Sequence, residues 1–231
     1  MSDSPRPRGR ISFASVPAET PWHRPLAQPL VYLSNAALAA WIYPCWKTVR
    51  TSWEPPLDDL VRTVRSTGRP LIFYSWHAYE PVTLCAFRDV PPEMTPTGIG
   101  HDGVLSRMLQ HATARFCFRL WVYRRNSLVP PKQQIIEMVR SRQCNIGLFA
   151  DAGGPYGRVK PGLPEIARAT EAWLVPLTVR GKPVIEFRRP WHYVFPLPFC
   201  TLTAVHGDPI DGSTATLRRC QDGLDAIERR A

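Results

Sequence analysis

The chain has 231 residues, and its formal net charge is +10 at pH 7. This length suits one large domain with its own core, on the usual scale of roughly 100 to 200 residues per domain. A basic chain predicts an anionic partner, and nucleic acid, an anionic membrane surface and phosphorylated substrates all qualify. The same charge can also serve only solubility, so composition leaves these alternatives open.

The six cysteines occur singly, with no Cys-x-x-Cys pair, and most lie beside apolar residues. This pattern argues against a disulfide framework and against a zinc site, and it predicts reduced thiols in the core of a cytosolic protein. The residues concerned are Cys45, Cys85, Cys117, Cys144, Cys200 and Cys220.

The N-terminal part divides into two segments. Residues 1–25 are rich in Pro, Arg and Ser and lack the apolar stretch of a cleavable signal peptide, so we expect a flexible basic arm. Residues 30–46 carry no charge, but they are at the lower limit of the roughly 17 to 25 residues that span a bilayer, and Pro44 shortens the usable helix. Within residues 26–50 we therefore weigh equally an interfacial membrane helix, with Trp and Tyr anchors, and an ordinary core helix.

From residue 51 onward, apolar patterns alternate between helical and strand spacing. Strands that alternate with helices of this length predict a single α/β domain over residues 51–231, with a mostly parallel central sheet flanked by helices. The predicted helices cover residues 56–68, 102–116, 130–142 and 161–172, and the predicted strands cover residues 69–76, 118–123, 145–150 and 173–179.

Ligands of parallel sheets bind beyond the carboxyl ends of the strands, and three polar loops lie there. The first loop contains His77, whose ordinary pKa near 6.5 suits a general base, and Glu80, which could orient the imidazole from one helical face. The second contains Arg124 and Arg125, whose guanidinium groups could hold phosphate oxygens. Capping or packing by the histidine, and solvation of the arginines, are the alternative interpretations.

The third loop, residues 149–162, is the most specific. Glycines let backbone N–H groups approach an anion, and basic side chains supply charge, although the pattern is not that of a Walker loop. The candidate binding residues are Asp151, Gly153, Gly154, Arg158 and Lys160.

Taken in order, these segments resemble the lysophospholipid acyltransferase superfamily, and more closely its bacterial branch named domain of unknown function 374 (DUF374). The similarity covers roughly residues 68–210. The segments that carry it are LIFYSWH, HDGVLSRML, VYRRNS, FADAGGPYGRVKPG, WLVPLTV and WHYVFPLPF.

The resemblance implies acyl transfer from acyl-CoA or acyl-carrier protein to a hydroxyl of a lysophospholipid, glycolipid or related lipid. His77 would deprotonate that hydroxyl for direct attack on the thioester, while the arginine and glycine-rich motifs would hold anionic groups. It also implies a peripheral or monotopic enzyme on the cytoplasmic membrane face, with membrane lipids as partners. No metal, other cofactor or nucleic acid is expected.

The chain departs from the superfamily pattern at two positions. The HxxxxD motif would need an acid at position 82, where this chain has Val82, and Asp151 stands where the family has Glu. Asp102 and Glu80 are the two candidates for the missing orienting acid. A non-catalytic, basic membrane- or nucleic-acid-binding protein with a degenerate acyltransferase fold is the alternative function. The oligomeric state, the acceptor and the acyl chain length are left open.

Overall fold

The computed structural model describes residues 37, 40–41, 43–91, 93–101, 120–124, 127–151, 155–187 and 192–230. Within these ranges one sheet has the strand order β1-β7-β6-β2-β5-β3-β4, with β8 paired to β6. The strands are β1 (Arg50–Glu54), β2 (Leu71–Ser75), β3 (Thr97–His101), β4 (Leu120–Tyr123), β5 (Ile146–Phe149), β6 (Trp173–Phe187), β7 (Tyr193–His206) and β8 (Ile210–Asp211).

Most neighbouring strands run parallel. β2 pairs in parallel with both β5 and β6, and β3 pairs in parallel with both β4 and β5, while β6 and β7 form an antiparallel hairpin. The predicted single α/β domain with a mostly parallel sheet is therefore confirmed. Because parallel strands end at the same edge, β2, β5, β3 and β4 present their following loops together.

Helices cover both faces of the sheet. They are α1 (Asp58–Thr67), α2 (Glu80–Ala86), α3 (Pro131–Arg142), α4 (Gly162–Thr170) and α5 (Leu217–Glu228). α1 ends as predicted at Gly68, whose φ of 62° lies in the left-handed region that glycine adopts without a steric cost.

The core lies on both faces of β2, which is buried along its whole length. Ile72 and Tyr74 belong to the cluster on one face, and Leu71 and Phe73 belong to the cluster on the other. A strand that is covered on both faces has a continuous apolar sequence, and this is why β2 could be predicted from the sequence.

Four strands were not predicted: β1, β3, β7 and β8. β3 has the sequence TGIGH, in which glycines replace the β-branched residues that usually mark a strand. β1 is short and has exposed polar residues on alternate positions, as expected at the sheet edge. β6 also continues to Phe187, beyond the predicted end at residue 179.

The N-terminal prediction is only partly within the described residues. Residues 43–48 are helical, with Cys45 buried against the domain, whereas Trp41 and Tyr43 are exposed. No described helix is long and apolar enough to cross a membrane. The predicted basic arm at residues 1–25 and the predicted helix at 102–116 lie outside the described residues.

The cysteine prediction agrees with the structure where it can be compared. Cys45, Cys85, Cys200 and Cys220 are buried and free, and Cys144 is free and half-buried. Burial raises the pKa of the Cys85 thiol to about 12, which keeps it protonated at neutral pH and makes it a poor nucleophile.

Candidate active site at the end of the parallel strands

The site forms where two adjacent parallel strands, β2 and β5, end side by side. His77 follows β2, and Asp151 follows β5. The backbone N–H of His77 donates a hydrogen bond to Oδ1 of Asp151 at 3.2 Å, and only 2 % of Asp151 is exposed. The buried carboxylate therefore anchors the turn that carries His77.

Among the described residues, Glu80 brings a carboxylate to the His77 imidazole. His77 to Tyr79 form a 3₁₀ turn, and Glu80 begins α2, so the two side chains meet at i,i+3 spacing. One carboxylate oxygen of Glu80 lies 3.2 Å from Nε2 of His77. The structure thus brings Glu80 to the imidazole, while the other candidate for the orienting acid, Asp102, lies outside the described residues.

A tyrosine that the sequence analysis did not single out completes the surroundings of the ring. Tyr193 is the first residue of β7, and its hydroxyl lies 3.1 Å from Nδ1 and 3.4 Å from Nε2 of His77. Its ring packs edge-on against the imidazole with centroids 5.2 Å apart, and Phe149 packs against the imidazole at 5.1 Å. His77 is therefore held by an acid, a phenol and an apolar ring.

These neighbours change the proton affinity of the site. Burial by itself lowers the pKa of His77, but the hydrogen bond and charge of Glu80, together with the charge of Asp151, raise it above the ordinary value overall. Burial raises the pKa of Asp151. Burial and the two acidic charges raise the pKa of Tyr193 to about 12, so its hydroxyl keeps its proton at neutral pH.

An apolar pocket opens beside this histidine. Glu80 and Phe149, which both contact His77, also line the pocket. Gly98 and Gly147 lie opposite each other on β3 and β5 and form part of its wall, where the missing side chains leave room. The apolar lining includes Phe73, Phe87, Ile99, Leu120, Leu148 and Leu177.

Arg124, another predicted binding residue, lies on the same edge of the sheet. Arg124 follows β4, three strands from β2 and so about 14 Å away at the usual strand spacing, and it is exposed. Its backbone N–H and C=O both bond to the side chain of Gln134 on α3. The structure thus puts Arg124 on the same edge without bringing it to His77, and Arg125 lies outside the described residues.

The glycine-rich loop is described at residues 149–151 and from residue 155 onward, so Gly153 and Gly154 lie outside the described residues. Arg158 is exposed, and Lys160 is half-buried. The backbone N–H of Lys160 bonds to the carbonyl of Ala150 at 2.8 Å, and the lysine charge opposes the rise in the pKa of Asp151. The basic end of the loop is therefore fixed close to the site.

Val82, which stands where the HxxxxD pattern has an acid, is a core residue. It lies on α2 with 1 % exposure and packs in the core cluster that also contains Phe73 and Phe87. An ionised carboxylate at this position would be buried without a partner, which is costly. Glu80, two positions earlier, has its carboxylate 3.2 Å from the His77 ring.

No family model matches the chain, and no curated protein matches it. Among solved structures, the chain is similar to the 1-acyl-sn-glycerophosphate (LPA) acyltransferase PlsC from Thermotoga maritima, with a TM-score of 0.49 and 12% sequence identity. The similarity covers 88% of this chain and 82% of that chain. The α/β fold itself is established by the strand order and pairing described above.

Proposed function

We propose that the protein is an O-acyltransferase that moves an acyl chain from a thioester donor, acyl-CoA or acyl-carrier protein, to a hydroxyl of a lipid acceptor. The observation that carries this proposal is the position of the His77–Glu80 pair at an apolar pocket. The motifs that resemble the lysophospholipid acyltransferases, and their bacterial DUF374 branch, support the same reaction.

Acyl transfer to a hydroxyl needs a general base next to the bound acyl chain of the donor. The neutral imidazole of His77 takes the proton of the acceptor hydroxyl, and the acceptor oxygen attacks the thioester carbonyl. The carbon–sulfur bond then breaks, and the leaving thiolate receives the proton back from the imidazolium. Glu80 stabilises the imidazolium while the proton resides there.

The pocket accounts for the acyl group. Its lining is dominated by aliphatic and aromatic side chains, which favour a hydrocarbon chain over a sugar or a nucleotide. Only Ser75, Glu80 and Thr83 bring polar side chains to the described lining, and Glu80 lies at the histidine. An acyl chain in this pocket would place its thioester beside the base.

We propose further that the protein works at a membrane surface, through an aromatic edge made of Trp41, Tyr43, Lys47 and Phe199. The aromatic side chains are 40%, 50% and 77% exposed for Trp41, Tyr43 and Phe199 respectively. The N–H of Phe199 bonds to the Thr48 hydroxyl at 2.7 Å, which joins the two parts of the edge. Exposed aromatic rings beside a lysine suit the interface of an anionic bilayer.

The test is acyl transfer by the purified full chain. Radiolabelled acyl-CoA and acyl-carrier protein are each incubated with a membrane lipid extract, and labelled lipid is separated and counted. The proposal expects a labelled lipid whose formation requires the protein and one of the two donors.

The alternative is a protein that binds membranes or nucleic acid without catalysis. It is based on Val82, which occupies the position of the acid in the HxxxxD motif of the acyltransferase superfamily. It expects no labelled lipid with either donor, together with binding to anionic vesicles or to nucleic acid. A gel shift at two salt concentrations, run on the same preparation, detects the nucleic-acid case because such binding weakens steeply with salt.

A further inference from the structure

One hydroxyl group in the wall of the apolar pocket has no hydrogen-bond partner. Thr83 lies on α2 and lines the pocket, and only 9 % of the residue is exposed. Its Oγ1 is buried, and none of the described residues bonds to it. A buried polar group without a partner costs free energy, so this wall contains a polar position that the domain itself leaves unsatisfied.

The other threonines of the described α-helices behave differently. A helical threonine can satisfy its hydroxyl by donating to the backbone carbonyl four residues earlier. The residues that do so, at 2.6 to 2.9 Å, are Thr48, Thr63, Thr67 and Thr170. Thr83 makes no such bond. Its hydroxyl therefore keeps its full capacity to bind a ligand group.

Thr83 lies close to the catalytic end of the pocket. Glu80, Thr83 and Phe87 follow one another at the spacing of one helical face, and all three line the pocket. Glu80 meets the ring of His77 at one end, whereas Phe87 packs against Phe73 at the other. Three residues of helix separate Glu80 from Thr83, a rise of about 4.5 Å. An acyl chain whose thioester lies beside His77 therefore passes Thr83 within its first few carbons.

A second hydroxyl lies in the same part of the wall. Ser75 is the last residue of β2; it lines the pocket and is 2 % exposed. Its contact with the carbonyl of Trp76, at 3.5 Å, is too long for a good hydrogen bond. Apart from Glu80, the other side chains of the described lining are apolar. The polar groups of the pocket thus lie toward the histidine, and its far end is hydrocarbon.

We propose that Thr83 is a specificity-determining residue, through which the pocket selects 3-hydroxyacyl donors over unsubstituted ones. A hydroxyl close to the thioester both donates and accepts, so it satisfies the threonine hydroxyl, whereas an unsubstituted chain leaves it unpaired. Threonine in a helix populates two χ1 rotamers, and this rotation turns Oγ1 toward the ligand in exchange for the methyl group. The inference rests on the proposed acyltransferase function and adds to it the class of acyl chain.

The test compares three thioester donors of equal chain length, with the membrane lipid extract as acceptor. They carry an unsubstituted chain, a 3-hydroxyacyl chain, and a chain with its hydroxyl at the far end. The wild type should use the 3-hydroxyacyl donor about 10-fold better in kcat/KM than the unsubstituted donor, as expected of one hydrogen bond to an otherwise unpaired group. It should use the third donor least, because that hydroxyl is buried among apolar side chains.

The variant Thr83→Val removes the hydroxyl and keeps the shape of the side chain. It should abolish the preference for the 3-hydroxyacyl donor. Thr170→Val is the matched control, because Thr170 is also 9 % exposed but bonds within its own helix, and it should keep the wild-type preference. Absence of the preference in the wild type, or its persistence in Thr83→Val, would overturn the inference. An equal fall for all donors would overturn it too, because it leaves the preference unchanged.

Melting temperatures test the unpaired hydroxyl independently of turnover. Thr83→Val should keep or raise the melting temperature, because an apolar group replaces an unsatisfied one, whereas Thr170→Val should lower it. An equal fall in both variants would mean that the domain satisfies the Thr83 hydroxyl, and it would overturn the inference. If the wild type transfers none of the three chains, the proposed function fails and the inference fails with it. If it transfers all three equally well, only the inference fails.

Discussion

The position of Gly147, in the middle of β5, allows a quantitative prediction about the chain length of the acyl donor. A Cβ built at this residue has only Pro96 within 4 Å, at 3.9 and 4.0 Å, so the first side-chain carbon fits without moving the backbone. Both residues line the pocket, so the side chain of Gly147→Val would enter it. Valine also suits a strand position, which should preserve the fold.

The expected loss of binding free energy for the acyl chain follows from the three carbons that valine adds. If they displace three methylenes of the longest bound chain, at about 0.8 kcal/mol for each buried CH₂, the loss is about 2.4 kcal/mol. That corresponds to a fall of about 60-fold in kcat/KM for this donor. Donors three carbons shorter should react as they do with the wild type.

The assay is acyl transfer with a series of thioester donors of increasing chain length. Gly162→Ala, at a position with no atom within 4 Å of the added Cβ, serves as the control for a glycine substitution outside the pocket. A uniform fall across all chain lengths, with an unchanged optimum, would refute the assignment of this pocket to the acyl chain.

Three further predictions concern the base and the membrane edge. His77 must be neutral to accept a proton, and its pKa is raised above the ordinary value of about 6.5. The groups that face its ring or backbone are Glu80, Asp151 and Tyr193. The rate of acyl transfer should therefore fall as the pH drops through a value above about 6.5. Glu80→Gln should move this acid limb to lower pH in a pH–rate profile, and an unmoved limb would contradict the pairing. Asp151→Ala leaves the His77 N–H without its acceptor, so the free energy of unfolding should fall by about 1 to 3 kcal/mol in a urea titration, and an unchanged midpoint would contradict the anchoring role. Phe199 has a φ of 63°, so Phe199→Asn should relieve a backbone strain of about 1 kcal/mol and keep the melting temperature of the protein. The same change removes an exposed aromatic ring and should weaken co-sedimentation of the protein with anionic vesicles. Undiminished binding to the vesicles would exclude Phe199 from the membrane edge.

The sequence predicted the parts of the fold that have regular periodicity. β2 and β5 are apolar runs between helices with clear boundaries, so their order and parallel pairing followed from chain connectivity. The loops after them were placed on one edge for the same reason, and the contact between His77 and Asp151 agrees with that placement. β3 escaped prediction because a strand with glycines at Gly98 and Gly100 has no side-chain alternation to detect.

The rest of the site depends on contacts between distant residues. Tyr193 lies 116 residues from His77 in the chain, and it reaches the ring only because the β6–β7 hairpin extends beyond the end of β2. A single sequence does not encode which residue of such a hairpin will face a given loop. The choice of Glu80 needed the 3₁₀ turn at residues 77–79, since a regular helix and a short turn present different side chains to the imidazole.

The central claim is that His77 acts as the base of an acyl transfer. The most direct measurement is the turnover of His77→Gln against the wild type, with the same thioester donor and lipid extract and with equal folded protein verified by circular dichroism. The account predicts a fall in kcat of about 100- to 10,000-fold with an unchanged melting profile. Turnover per folded molecule equal to that of the wild type would contradict it.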